Sequence, residues 1–182
     1  MSDQQLGKKM VEGQDLDRFL DAYEEVVAQR LDVLESGERP DFICARPSGE
    51  KVGVELTRPH HDHEKVIWDR ILAPGRQMTD FELLPAINSV IEQKTLKLSM
   101  HDWRLPEATI LVVQLVDYTF SSWAWLSETG LRRDFDSTGF AEIWLADHTT
   151  WEAYHSVRLI GLHPAHVWGI PWQPSLEGKP YG

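Results

Sequence analysis

Cysteine is nearly missing from this chain: Cys44 is the only one in 182 residues. A single thiol cannot close an internal disulfide, and it fits a reducing, cytoplasmic setting. Long apolar runs are missing as well. Nothing approaches the ~20 consecutive apolar residues of a membrane-spanning helix, so no membrane-embedded part is expected. The opening stretch MSDQQLGKKMVEGQDLDRF carries lysines but no apolar segment behind them, so it does not read as a secretory signal. The third shortage is of basic charge. Lys and Arg total 18 against 29 Asp and Glu, a formal net charge of -11. Proteins that track nucleic-acid phosphates draw most of their affinity from clustered cations. The balance therefore argues against an extended nucleic-acid surface. It leaves local nucleic-acid contacts, a protein partner or a homo-oligomer open.

What is present suits a folded domain. Hydrophobic residues make up 42% and charged residues 26%, and the length fits one domain with a substantial core. Residues 1–13 read as a frayed leader. The apolar spacing predicts a helix over 14–34 that ends at Gly37. Residues 41–46 and 51–57 read as two strands joined by the turn PSGE, and 80–100 as a second long helix. ATILVVQLVDY, residues 108–118, is the strongest strand signal, β-branched and continuous after Pro106. A helix over 121–135, strands over 140–147 and 156–162, and a Pro/Gly-rich irregular tail complete the reading. With no repeat and no linker, residues 1–182 read as a single α/β domain.

The two long helices can be read for chemistry. Leu16, Leu20, Tyr23, Val27, Leu31 and Leu34 fall on one stripe of the first, with Glu24 at its edge and Glu25 opposite. A carboxylate at the rim of a buried face is costly unless paired or bound to a cation, so Glu24 is a candidate site residue. In the second helix Leu84, Ile87, Ile91 and Leu98 mark the apolar face, with Leu83 and Val90 on one shoulder. Lys94 projects from inside that face and Lys97 stands at its shoulder. A buried ammonium either reaches solvent along its stem or meets carboxylates.

PDF at 40–42, a hairpin, then VGVELT at 52–57 resembles the core of the PD-(D/E)xK superfamily, the fold of many restriction enzymes. The resemblance spans residues 14–116, leaving further strands and the tail over 117–182. It implies a restriction-endonuclease-like core: a mixed β-sheet with helices on both faces and two acids on adjacent strands. Asp41 matches the aspartate of the first half-motif and Glu55 the acid of the second. Thr57 stands where the motif lysine is expected. Some branches supply that lysine from the following helix, which Lys94 matches, and some carry a glutamate on the first helix, which Glu24 matches. The implied activity is phosphodiester hydrolysis with Mg²⁺ or Mn²⁺. Asp41, Glu55 and the Leu56 carbonyl would be the metal ligands, with Lys94 orienting or deprotonating the attacking water.

Other residues bear on the same chemistry. His60 or His61, directly after the motif strand, could serve as an auxiliary base or phosphate contact. His60, His61 and His63 with His163 and His166 raise a zinc-hydrolase alternative, but no HExxH spacing supports it. Cys44 reads as buried and inert. Trp144 and Trp151 read as core, whereas Trp123 and Trp125 could stack bases or line a partner surface. A catalytically inactive nuclease-fold module that binds a protein is the competing reading, favoured by Thr57 and by the net charge.

Overall fold

The computed structural model describes residues 3–59, 80–100, 103–116 and 135–164. Helix α1 spans Asp3–Val27 and is followed by strands β1 (Asp32–Ser36), β2 (Phe42–Ala45) and β3 (Lys51–Thr57). Helix α2 (Asp80–Leu98), strands β4 (Thr109–Leu115) and β5 (Glu142–Asp147), a short α3 (Trp151–Tyr154) and strand β6 (Arg158–His163) complete the order. The six strands make one mixed sheet in chain order. β1, β2 and β3 run antiparallel to one another in turn, β3, β4 and β5 run parallel, and β6 returns antiparallel on β5. Among the described residues no helix is long and apolar enough to cross a membrane.

Successive strand side chains point to opposite faces, so the core divides by parity. Val54, Leu56, Ile110, Val112, Trp144 and Ala146 cluster with Leu16, Phe19 and Tyr23 of α1. Leu111, Val113, Leu115, Ile143 and Leu145 cluster with Leu83, Ile87, Val90 and Ile91 of α2. The strands read as continuous apolar runs because both parities are buried. The α1 contact is fixed by a polar clamp. Glu142 of β5 accepts from the Tyr23 hydroxyl at 3.0 Å, from Arg46 Nη2 at 2.7 Å and from Trp144 Nε1 at 2.8 Å. Burial and the Glu142 charge push the Tyr23 phenol up to about 12, so it stays a donor.

The first helix differs most from expectation. It begins at Asp3, inside the supposed leader, and stops at Val27 rather than Leu34. Ala28 adopts a left-handed φ of 57°, which ends the helix, and Asp32–Ser36 then pairs with β2. Leu31 and Leu34 match a helical stripe in spacing alone: Leu31 is buried from the connection, whereas Leu34 is 52% exposed on the edge strand. Gly37 terminates no helix. It turns β1 into β2, donating to the Asp41 carbonyl at 2.7 Å, and a Cβ there would meet the Pro40 oxygen at 2.7 Å. The expected hairpin is therefore a three-stranded meander. The apolar face of α2 is Leu83, Ile87, Val90, Ile91 and Leu98, with Leu84 the partly buried shoulder. Trp144 is buried and Trp151 half-buried, while the helix expected over 121–135 falls almost wholly outside the described residues, as do Trp123 and Trp125.

Gly53 ties the sheet to the segment before Asp41. A Cβ on it would lie 2.6 Å from Pro40 Cγ and 2.8 Å from Thr109 Oγ1, and a proline ring cannot swing aside. Gly53→Ala is expected to cost about 1–3 kcal/mol, the usual penalty of overpacking, read as a lower urea midpoint at unchanged slope.

Candidate active site

Antiparallel pairing of β2 with β3 sets Phe42 opposite Val54, which brings Asp41, one residue before β2, to the end of β3. There the two acids interlock through backbone amides. Asp41 Oδ2 accepts from the Leu56 amide at 2.8 Å, and the Asp41 amide donates to Glu55 Oε2 at 3.2 Å. The other Glu55 oxygen, Oε1, is paired with Lys94 Nζ, which reaches across from α2. Glu55 is 4% exposed, and the Lys94 side chain 17%. Lys94 thus ends on a carboxylate rather than in solvent. Its ammonium offsets a charge whose burial alone would be costly.

Asp41 carries the electrostatic signature of the site. Burial, followed by the Glu55 charge, pushes its carboxyl up to about 7. The Leu56 N–H and the Lys94 charge pull the other way, and the Glu12 charge adds to the rise. Two neighbouring acids therefore act on Asp41, and Lys94 opposes them.

The acid that α1 contributes to this field is Glu12. Glu24 is exposed, as is Glu25, because the helix rolls its Leu16–Phe19–Tyr23 stripe onto the sheet and turns position 24 outward. Glu12 lies four residues before Leu16 on that same stripe, and extending the stripe back one turn would have found it. Thr57 is buried, sharing the strand parity of Glu55, and Lys97 is exposed, three residues on from Lys94 in the helix. His60 and His61 lie outside the described residues, as do His63 and His166 of the candidate zinc set. His163 of that set is described, and its Nδ1 lies 3.2 Å from Asp136 Oδ1. Cys44 is buried and unbridged, its thiol pushed up to about 11 chiefly by burial, so it is a poor nucleophile.

The chain matches no family model, no curated protein and no solved structure. What the site can hold therefore follows from its donor set. Among the described residues no group of three or more His, Cys, Asp or Glu side chains is placed to hold a metal ion. A hard cation needs less: Mg²⁺ is commonly held by one or two carboxylates and keeps several waters. Asp41 and Glu55 supply two carboxylates. Leu56, whose amide meets Asp41, can add its carbonyl. An Asp41 carboxyl pushed up to about 7 also fits such a cation, which would favour the ionised form that the protein alone disfavours.

Proposed function

We propose that this chain is a divalent-metal-dependent nuclease with a restriction-endonuclease-like core, a mixed sheet with helices on both faces, of the PD-(D/E)xK type. The observation that carries the reading is Lys94 seated on Glu55 beside Asp41. It supplies, from α2, the cation that Thr57 cannot supply from β3. The order of elements and the two acids on neighbouring strands support it further. A bound Mg²⁺ or Mn²⁺ would acidify a water and neutralise charge on the phosphoryl oxygens. Asp41, Glu55 and the Leu56 carbonyl would hold it. Lys94 would orient the attacking water and offset developing negative charge, while Glu55 keeps the ammonium in place.

The purified chain, incubated with labelled single- and double-stranded DNA and RNA, is expected to cleave with Mg²⁺ or Mn²⁺ and to stop with EDTA. Asp41→Ala should abolish the cleavage, and activity that survives in that variant would be contamination. Thr57→Lys should not be required, since the lysine position is already served. A protein-binding module without activity is the second reading, favoured by the net charge of -11. No cleavage of any of these substrates with either metal would select it.

A further inference from the structure

At the carboxyl ends of the parallel strands, the parity that packs on α1 changes from apolar to polar. Leu56 is followed on that parity by Arg58, Val112 by Gln114, and Ala146 by His148. In register, Thr57 pairs with Val113 and Gln114 with Ala146, so Arg58 stands level with Gln114, and His148 lies two residues past Ala146, just beyond the end of β5. Helix α1 adds Asp15 and Arg18. Arg58 Nη2 lies 2.6 Å from Asp15 Oδ2, and Arg58 Nε donates to Gln114 Oε1 at 3.4 Å. Arg18 Nη1 and His148 Nδ1 each lie 3.9 Å from Asp15 Oδ1. The Arg18 guanidinium also stacks 4.5 Å from the Trp151 ring centroid.

Asp15, Gln114 and His148 are deeply placed, while the side chains of Arg18 and Arg58 stay partly exposed. Asp15 is 5% exposed, Gln114 3% and His148 5%. Gln114 Nε2 and both ring nitrogens of His148 are buried with no hydrogen-bond partner among the described residues. Leaving such groups unpaired is costly, and folded proteins seldom do so without a ligand or an ordered water to meet them. The unmet capacity is mainly N–H donation. Two guanidinium groups face one carboxylate, which leaves the cluster one positive charge in a chain whose total is -11. Asp15 opposes an anion, but it is matched by Arg58, and Arg18 remains.

We propose that Asp15, Arg18, Arg58, Gln114 and His148 frame a binding site for a phosphate group, with Gln114, His148 and the two arginines as donors. A tetrahedral anion takes donors from several directions, which suits side chains arriving from α1, β4 and the ends of β3 and β5. A planar carboxylate fits fewer of them, and guanidinium groups favour phosphate geometry. Carboxyl ends of parallel strands are also where open α/β sheets commonly bind ligands. Arg58 and Gln114 have the strand parity opposite to Glu55, so this site is separate from the proposed catalytic one and stands without the nuclease reading.

The full chain, in phosphate-free buffer, should be titrated by calorimetry with inorganic phosphate and with a nucleoside 5′-monophosphate. Saturable binding of either is expected. Preference for the nucleotide assigns a phosphomonoester, and an equal response assigns the free ion. Gln114→Met and Arg58→Gln should each weaken binding about tenfold or more. Arg58→Gln also releases Asp15, so Gln114→Met carries the test if that variant folds poorly. Without phosphate, Gln114→Met should melt close to the parent, because removing an unmet buried donor offsets the loss of the long 3.4 Å bond from Arg58 Nε. No binding of either compound at millimolar concentration, meaning that ordered water alone meets these groups, would overturn the proposal. So would binding that neither variant weakens.

Discussion

Lys94→Met is expected to lower the melting temperature at pH 8 by roughly 5–10 °C and to remove any metal-dependent cleavage, while Lys97→Met changes neither. The methionine keeps the apolar stem against α2's face and deletes only the ammonium. Glu55, 4% exposed, then loses its cationic partner. Removing one member of a buried pair costs about 3–5 kcal/mol at full burial. The Lys94 side chain is 17% exposed, so about 2–3 kcal/mol is the fairer figure, at roughly 2–4 °C per kcal/mol for a chain of this size. Lys94 also lowers the Asp41 pKa, so without it the Asp41 carboxyl should titrate above about 7. Two facing carboxyls without their cation cannot both ionise cheaply, and the pair should hold a proton to higher pH, visible in carboxyl ¹³C shifts. Adding Glu55→Gln to Lys94→Met should recover most of the stability and none of the activity. A Lys94→Met protein that melts with the parent would show the ion pair to contribute nothing.

Much of this arrangement is legible in the chain because local pattern and tertiary role agree. β3 reads as 51–57 and is Lys51–Thr57, since a β-branched run between turn signals has few alternatives. The β4 signal runs on to residue 118, past the strand's end at Leu115, and the position of Lys94 within an apolar face foretells a buried partner. β1 is not legible. Leu31 and Leu34 continue the helical spacing of Leu16–Val27, and only pairing with β2 turns Asp32–Ser36 into a strand. Edge strands exposed along their whole length carry little hydrophobic signature of their own.

The candidate site is readable where it lies in contiguous motif and obscure where it depends on how α1 is rotated. Glu24 follows from its place beside Leu20 and Val27; the buried Phe19 rolls the helix the other way, toward the side that carries Glu12. The phosphate-site residues give no motif at all. Arg58, Gln114 and His148 come from three separate segments: the parallel register sets Arg58 beside Gln114, and Asp15 of α1 links them to His148.

Asp41→Asn is expected to stabilise the metal-free protein at pH 8 and to leave it nearly unchanged at pH 4. Asp41 is raised from 3.8 to about 7 by burial, then by Glu55, so the folded state prefers the protonated acid. Its contribution to stability is complete below pH 3.8 and is lost as pH rises through about 7. The whole shift corresponds to roughly 4 kcal/mol, and because Asp41 is only partly buried about 2–3 kcal/mol is expected, or roughly 5–10 °C in melting temperature. Asparagine keeps an oxygen for the Leu56 amide, so the variant loses charge without losing that hydrogen bond. Melting temperature measured from pH 4 to pH 8 in EDTA should therefore fall less steeply for the variant than for the parent. Mg²⁺ should close the gap at pH 8 by stabilising only the parent, because a cation relieves the charge that asparagine lacks. Parallel curves for the two proteins would mean that Asp41 ionises freely in the fold, and the case for a cation-seeking carboxylate pair would fail with it.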